Sequence, residues 1–331
     1  HVAAPGHYAP VYFDLQDKAA KSLDDVLLEL ADRIVRKLDL PPWEPPAHDI
    51  PTRFQRDFLP AVLAQLPAET VLVLLFDEFD VLDHPQEQQA VSSFFPYLRE
   101  LMALDVQRLK FVFVIGRRPE DLSSFTLSVF KGVKSRHVSL LSKKDTVELA
   151  RLSERNESLQ WPDEAAAKVY ELTGGHPFLT QQLCQVLWDQ VYDDDPHETP
   201  VVQLCQIERA IPDALKSSTS SLEWLWDGLK PAARVVASAL AEAGTGVTTQ
   251  EQLQKCLRES GVRILIDELQ DAPKILEEWD LIRKEDHGYR MPVEMLRRWF
   301  VDRKPLTRVQ NEIDRIQPRA DQFFQLAYGY Y

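Results

Sequence analysis

Residues 71–80 read VLVLLFDEFD, and no other stretch restricts the architecture of this chain as much. Six consecutive apolar residues, too few for a helix of ordinary length, describe a buried strand. The run ends abruptly in Asp77 and Glu78. In open parallel sheets, ligands bind just outside the carboxyl ends of the strands. The run that sets the fold class therefore also carries two carboxylates to the place where such folds do their chemistry.

The flanking sequence agrees with an α/β parallel sheet, because strand-like and helix-like runs alternate over about the first 140 residues. Residues 9–16 form the first strand-like run and contain Asp14. Residues 22–38 place Leu23, Val26, Leu27, Leu30, Ile34 and Leu38 on one helical face, with Ser22 as N-cap and Asp24–Asp25 where the helix dipole favours anions. A proline-rich loop over 40–46 comes next, and a helix is predicted over 54–66 despite Pro60. A long helix is predicted over 85–104, a buried strand over 110–116 ending at Arg117 and Arg118, and a short last strand over 137–141. From 144 onward the pattern is helical (145–152, 163–172, 177–192), with a linker over 193–200. Three further helices are predicted over 231–243, 248–260 and 264–279, then a hairpin around His287–Gly288 and a final helix over 308–331.

Composition narrows the function classes. Hydrophobic residues make up 44% and charged residues 27% of 331, which is globular and leaves room for two or three domains. There is no apolar run long enough to span a bilayer and no signal-peptide pattern, so no membrane role is expected. Cys184, Cys205 and Cys256 lack C-x-x-C spacing, which points to reduced thiols in the cytoplasm and to neither a disulfide framework nor a zinc site. A net charge of −14 argues against general affinity for nucleic acid. Residues 281–319 depart from that trend, with ten Lys/Arg against six Asp/Glu.

Three constellations can carry chemistry. Asp77 suits a Mg²⁺ shell, usually through water, and Glu78 suits the positioning of an attacking water. The structural alternative is a pair of acids that merely caps the next helix, and Asp80 and Asp83 fit that role better. Arg117, at the exit of the next strand, is placed to stabilise charge on a transferring phosphoryl group, whereas Arg118 precedes Pro119 and is biased into extended backbone. Gly174-Gly175-His176-Pro177 ends one helix with freedom for positive φ and opens another with proline at its first position. That corner is equally readable as a nucleotide contact or as a tight helix–helix turn. A G-x-x-x-x-G-K-[ST] phosphate loop is missing from the 331 residues, and Gly132-Val-Lys-Ser135 lacks the glycine-rich cradle.

Taken together, residues 71–80, 111–117 and 173–183 resemble the signal-transduction ATPases with numerous domains, the STAND branch of the AAA+-like P-loop NTPases. The resemblance covers about residues 9–306. It implies that Asp77 and Glu78 are the Walker B pair with Asp77 serving Mg²⁺, that Arg117 is a sensor arginine, and that Gly175, His176 and Pro177 are the family's G-x-P motif beside the adenine of ATP or ADP. If residues 9–16 are the second strand of such a fold, the first strand, phosphate loop and helix are expected upstream of His1. A departure lies at residues 290–294, where Pro292 stands in place of the family's winged-helix histidine.

The implied organisation is an α/β nucleotide-binding domain over 1–143, a helical lid over 144–220, a winged-helix domain over 221–306, and a helical linker over 307–331 that resembles the start of a tetratricopeptide-like array. The implied function is a nucleotide-dependent switch that self-associates on activation and drives an effector, as in antiviral defence. Protein partners are expected at the winged helix or the C-terminal helices. The acidic residues of the predicted 264–279 helix disfavour specific DNA binding. The competing readings are a non-hydrolysing scaffold or adaptor and a winged-helix transcriptional regulator.

Overall fold

The computed structural model describes residues 6–45, 48–83, 93–104, 107–116, 122–130, 132–193, 198–259 and 266–316. The chain divides into two units, residues 1–136 and 137–331.

The first unit is an α/β layer. Strand β1 (Tyr8–Asp14) leads to helix α1 (Leu23–Leu38), then α2 (Ile50–Arg53), which runs through a π-helical turn into α3 (Leu59–Gln65). Strand β2 (Val71–Asp77) is next, then a 3₁₀ turn, α4 (Phe95–Ala103), β3 (Leu109–Phe113) and α5 (Ser124–Val129). The sheet is parallel with order β1-β2-β3, so the apolar run of residues 71–76 is its central strand. Register pairs Asp14 with Asp77 and Phe76 with Phe113. Helix α1 starts where the sequence places it, with the Ser22 hydroxyl accepting from the Asp25 amide at 3.2 Å. The predicted helix over 85–104 is described only in part, since residues 84–92 lie outside the described residues.

The two faces of this sheet differ. Val11, Phe13, Leu72, Leu74, Phe76 and Leu109 are buried beneath the helices, where Phe13 and Phe94 meet Phe76 edge-on and Phe113 stacks against it. On the opposite face the register aligns Tyr8, Pro10 and Tyr12 with Val71, Val73 and Leu75, and those with Lys110 and Val112. Here Tyr12 is 45% exposed, Val112 41% and Val114, just past the strand, 49%. Among the described residues β3 has no partner strand on its outer side. A parallel sheet ordinarily has both faces covered by crossover helices, and among the described residues this one has a single covered face.

The second unit is helical with a small sheet. It contains α6 (Lys143–Ala150), α7 (Asp163–Thr173), α8 (Pro177–Val191), α9 (Leu204–Ser217), α10 (Thr219–Asp227) and α11 (Pro231–Ala243). Then come β4 (Thr248–Thr249), α12 (Gln250–Glu259), α13 (Ile266–Glu278), β5 (Arg283–Glu285), β6 (Gly288–Arg290), α14 (Glu294–Arg303) and α15 (Leu306–Ile316). The three short strands form an antiparallel sheet of order β4-β6-β5, with the hairpin turning at Asp286–His287. One hydrophobic cluster runs through the unit from Ala150 to Val309.

Three points set the structure beside the sequence expectations. Residues 137–141 are not a strand: they are extended but pair with no sheet among the described residues, and the Leu141 amide instead donates to the Gly175 carbonyl at 2.7 Å. Helix α9 lies outside the helices predicted above, although Ile207, Ala210, Ile211 and Ala214 recur at helical spacing; their burial stabilises the helix despite Pro212. The expected boundary at 220–221 falls inside α10.

Candidate functional site

Asp77 ends the central strand, and its carboxylate is held from two sides. The Tyr12 hydroxyl donates to Oδ2 at 2.7 Å and the Glu78 amide donates to Oδ1 at 3.0 Å. Tyr12 reaches it because β1 and β2 run parallel in register, which puts residues 12 and 77 on the same, uncovered face of the sheet. The bond to Asp77, followed by burial, pushes the Tyr12 phenol up to about 12. Tyr12 escapes a reading of the sequence; only the period-2 alternation of β1, once registered against β2, reveals it.

Glu78 leaves the strand with φ +53°. A non-glycine residue rarely adopts this left-handed conformation, and such strain concentrates at functional sites. The turn aims the Glu78 side chain outward, where it is exposed, while Phe79 and Asp80 turn back into the core. Partial burial first, then the negative charges of Asp80, Asp77 and Asp14, raise its pKa above the ordinary glutamate range. A carboxylate that holds a proton more readily is a better general base near neutral pH.

The neighbouring acids have structural partners, as expected. Asp80 Oδ1 accepts from the Gly116 amide at 2.9 Å, which ties the 3₁₀ turn to the exit of β3. Asp83 accepts from the Ser123 amide at 2.8 Å and from the Thr126 hydroxyl, anchoring the start of α5. Arg117 and Arg118 lie outside the described residues.

Hard carboxylate oxygens suit Mg²⁺, which keeps most of its waters and needs only one or two protein carboxylates. Asp77 fits that requirement. Among the described residues no group of three or more His, Cys, Asp or Glu side chains converges as a metal cage, so a cation here would be held largely through water.

Gly175, His176 and Pro177 belong to the second unit, and Asp77 and Glu78 to the first. Gly174 caps α7 in the left-handed conformation, with its amide donating to the Tyr170 carbonyl. Pro177 opens α8, as its fixed φ and missing N–H favour. His176 caps that helix by accepting the Leu179 amide on Nδ1 at 3.4 Å, and burial lowers its pKa. Both glycines have reasons internal to the fold. A Cβ on Gly174 would sit 2.4 Å from the Pro292 carbonyl oxygen, and one on Gly175 would sit 2.1 Å from that of Leu141.

No protein-family model and no curated protein matches this chain in sequence. Solved structures do match in fold. The Walker-type ATPase PABY2304 of Pyrococcus abyssi superimposes with a TM-score of 0.55 at 15% identity, over 87% of this chain and 83% of that one. The ORC2 protein of Aeropyrum pernix, solved with ADPNP and ADP, gives 0.53 at 14% identity over 95% and 80%. At such identities the likeness concerns the fold alone. The chain shares the fold of these two solved structures.

Proposed function

We propose that the first unit is the Walker B half of an ATP-binding and ATP-hydrolysing site, and that the protein is a STAND-type signal-transduction switch. The observation that carries this reading is Glu78, strained at φ +53° beside a doubly held Asp77 at the carboxyl end of the central parallel strand. Left-handed backbone alone does not mark a site, since Glu157 adopts it as a simple helix cap; at Glu78 it coincides with the end of the central strand, beside Asp77. In this reading Asp77 orients the waters of Mg²⁺, and Glu78 accepts a proton from the water that attacks the γ-phosphate. Mg²⁺, when bound, supplies charge neutralisation at the phosphates. Arg117 stabilises charge on the transferring group, and Gly175, His176 and Pro177 border the adenine.

Among the described residues one sheet face is uncovered and β3 has no outer partner strand, and both observations support the same reading. A strand added beside β3, with its helix laid on Tyr12, Leu75 and Val112, would complete the sheet and bring a phosphate loop to the level of Asp77. The order α11-β4-α12-α13-β5-β6 supports a winged helix, with α6–α9 as the lid. Nucleotide state then biases packing between resting and self-associating arrangements that drive an effector, as in antiviral and other stress-response regulators.

The test is Glu78→Gln in the full-length protein. Glutamine keeps the size and hydrogen bonding but cannot act as a base. ATP turnover is expected to disappear while nucleotide binding persists. Undiminished turnover removes Glu78 from the chemistry, and absence of both activities from the parent protein favours the scaffold reading.

A further inference from the structure

The extended residues 137–141 are where the chain enters the second unit, and their contacts form a closed circuit. At one end, the Leu141 amide donates to the Gly175 carbonyl at 2.7 Å, and the Leu141 carbonyl lies so close to Gly175 that no side chain fits there. Along the segment, His137 Nε2 is 3.0 Å from Asp280 Oδ2, and the Ser139 hydroxyl donates to Asp280 Oδ1 at 2.8 Å. Asp280 comes just after α13 and leads into the β5–β6 hairpin. The circuit closes from the other side, because Gly174 packs against the Pro292 backbone just after β6.

Asp280 itself supplies an independent indication. It sits at φ +54°, immediately after a helix, where glycine is the least strained residue. An aspartate at this position costs backbone strain, and what its side chain provides in return is the pair of contacts to His137 and Ser139. Val138, between them, is 93% exposed, so the segment is held by these polar contacts and by Leu140–Leu141 and not by burial along its length.

We propose that residues 137–141 are a strap that locks the Gly174–Gly175 corner to the α13–β5 turn, so that a displacement at the strap is transmitted to residues 291–293 and the start of α14. The strap makes the lid helices and the hairpin module respond together. The Gly-Gly-His-Pro corner is the joint of this device, whatever else it contacts. This inference does not depend on nucleotide chemistry and stands or falls separately from it.

Amide hydrogen exchange on the full chain tests it with Asp280→Gly, which relieves the left-handed strain while cutting both polar contacts. The Leu141 amide, bonded to Gly175, should exchange about tenfold faster. The Arg297 amide, which donates to the Val293 carbonyl in the first turn of α14, should change in the same direction by about threefold. Amides in the middle of α11 should not change. Gly175→Ala should give the same pattern, and the double variant should add little to either single one, because both break one circuit. If Gly175→Ala fails to fold, Asp280→Gly alone decides. Unchanged exchange at Leu141, or faster exchange at Leu141 with Arg297 unaffected, overturns the proposal.

Discussion

Replacing Glu78 with glycine should make the first unit more stable, although it removes the residue assigned to catalysis. The backbone at Glu78 sits at φ +53°, which costs a non-glycine residue about 1–2 kcal/mol relative to glycine. Glycine loses more chain entropy on folding, which returns about 0.5–1 kcal/mol. Removing a charge that faces Asp14, Asp77 and Asp80 helps slightly, but Glu78 is exposed and water screens that repulsion. The net is a gain of about 0.5–1 kcal/mol. In amide exchange this slows opening of β2 by about two- to fivefold at Leu74 and Phe76, and it raises the melting point by a few degrees. Glu78→Ala is the control, since it removes the same carboxylate but keeps a Cβ and therefore the strain. The reasoning predicts that the glycine variant exceeds the alanine variant by about 1 kcal/mol. A glycine variant that opens as readily as the alanine variant, or more readily, would refute the claim that this site stores backbone strain.

The remaining predictions concern binding, acid stability and packing. This 331-residue chain by itself should bind Mg·ATP poorly in calorimetry, because a glycine-rich loop and its lysine are missing from its sequence; tight stoichiometric binding would mean that other residues cradle the phosphates. Burial raises the pKa of Glu294, but its bonds to Arg297 at 2.6 and 2.8 Å and to Arg298 at 2.9 Å outweigh burial and hold it below the ordinary range. A carboxylate lowered in the folded state stabilises above its unfolded pKa and loses that contribution as pH falls through the folded value. Glu294→Gln should therefore destabilise the second unit by about 2 kcal/mol at pH 7, with the gap to wild type closing below about pH 4 in urea titrations. Lys304 is nearly buried, 2.6 Å from Glu223 Oε2 and over the rings of Trp226 and Trp299. Lys304→Met keeps the stem and should cost about 1–2 kcal/mol with a changed tryptophan emission, whereas an unchanged unfolding midpoint would assign the packing to the stem alone.

Local signals and pairing geometry divided the information about this protein between them. The apolar run at 71–76, the Ser22 cap, Pro177 at a helix start and the 231–243 periodicity were legible because each depends on neighbours within a turn or two along the chain. The Asp77–Glu78 pair was legible for the same reason, as the end of a buried strand is visible in one line of text. Tyr12 was not, since its partnership with Asp77 spans 65 residues and exists only once β1 and β2 adopt a parallel register. The strain at Glu78 was hidden too, because a glutamate carries no sign that the turn after it must send Phe79 and Asp80 inward. Residues 137–141 alternate like a strand, yet among the described residues no sheet edge meets them, and the backbone beside Gly175 does. The sequence announces that Gly174 and Gly175 are special. Only the tertiary structure says why: Pro292 and Leu141, distant in the chain, approach so closely that a single Cβ would collide with them.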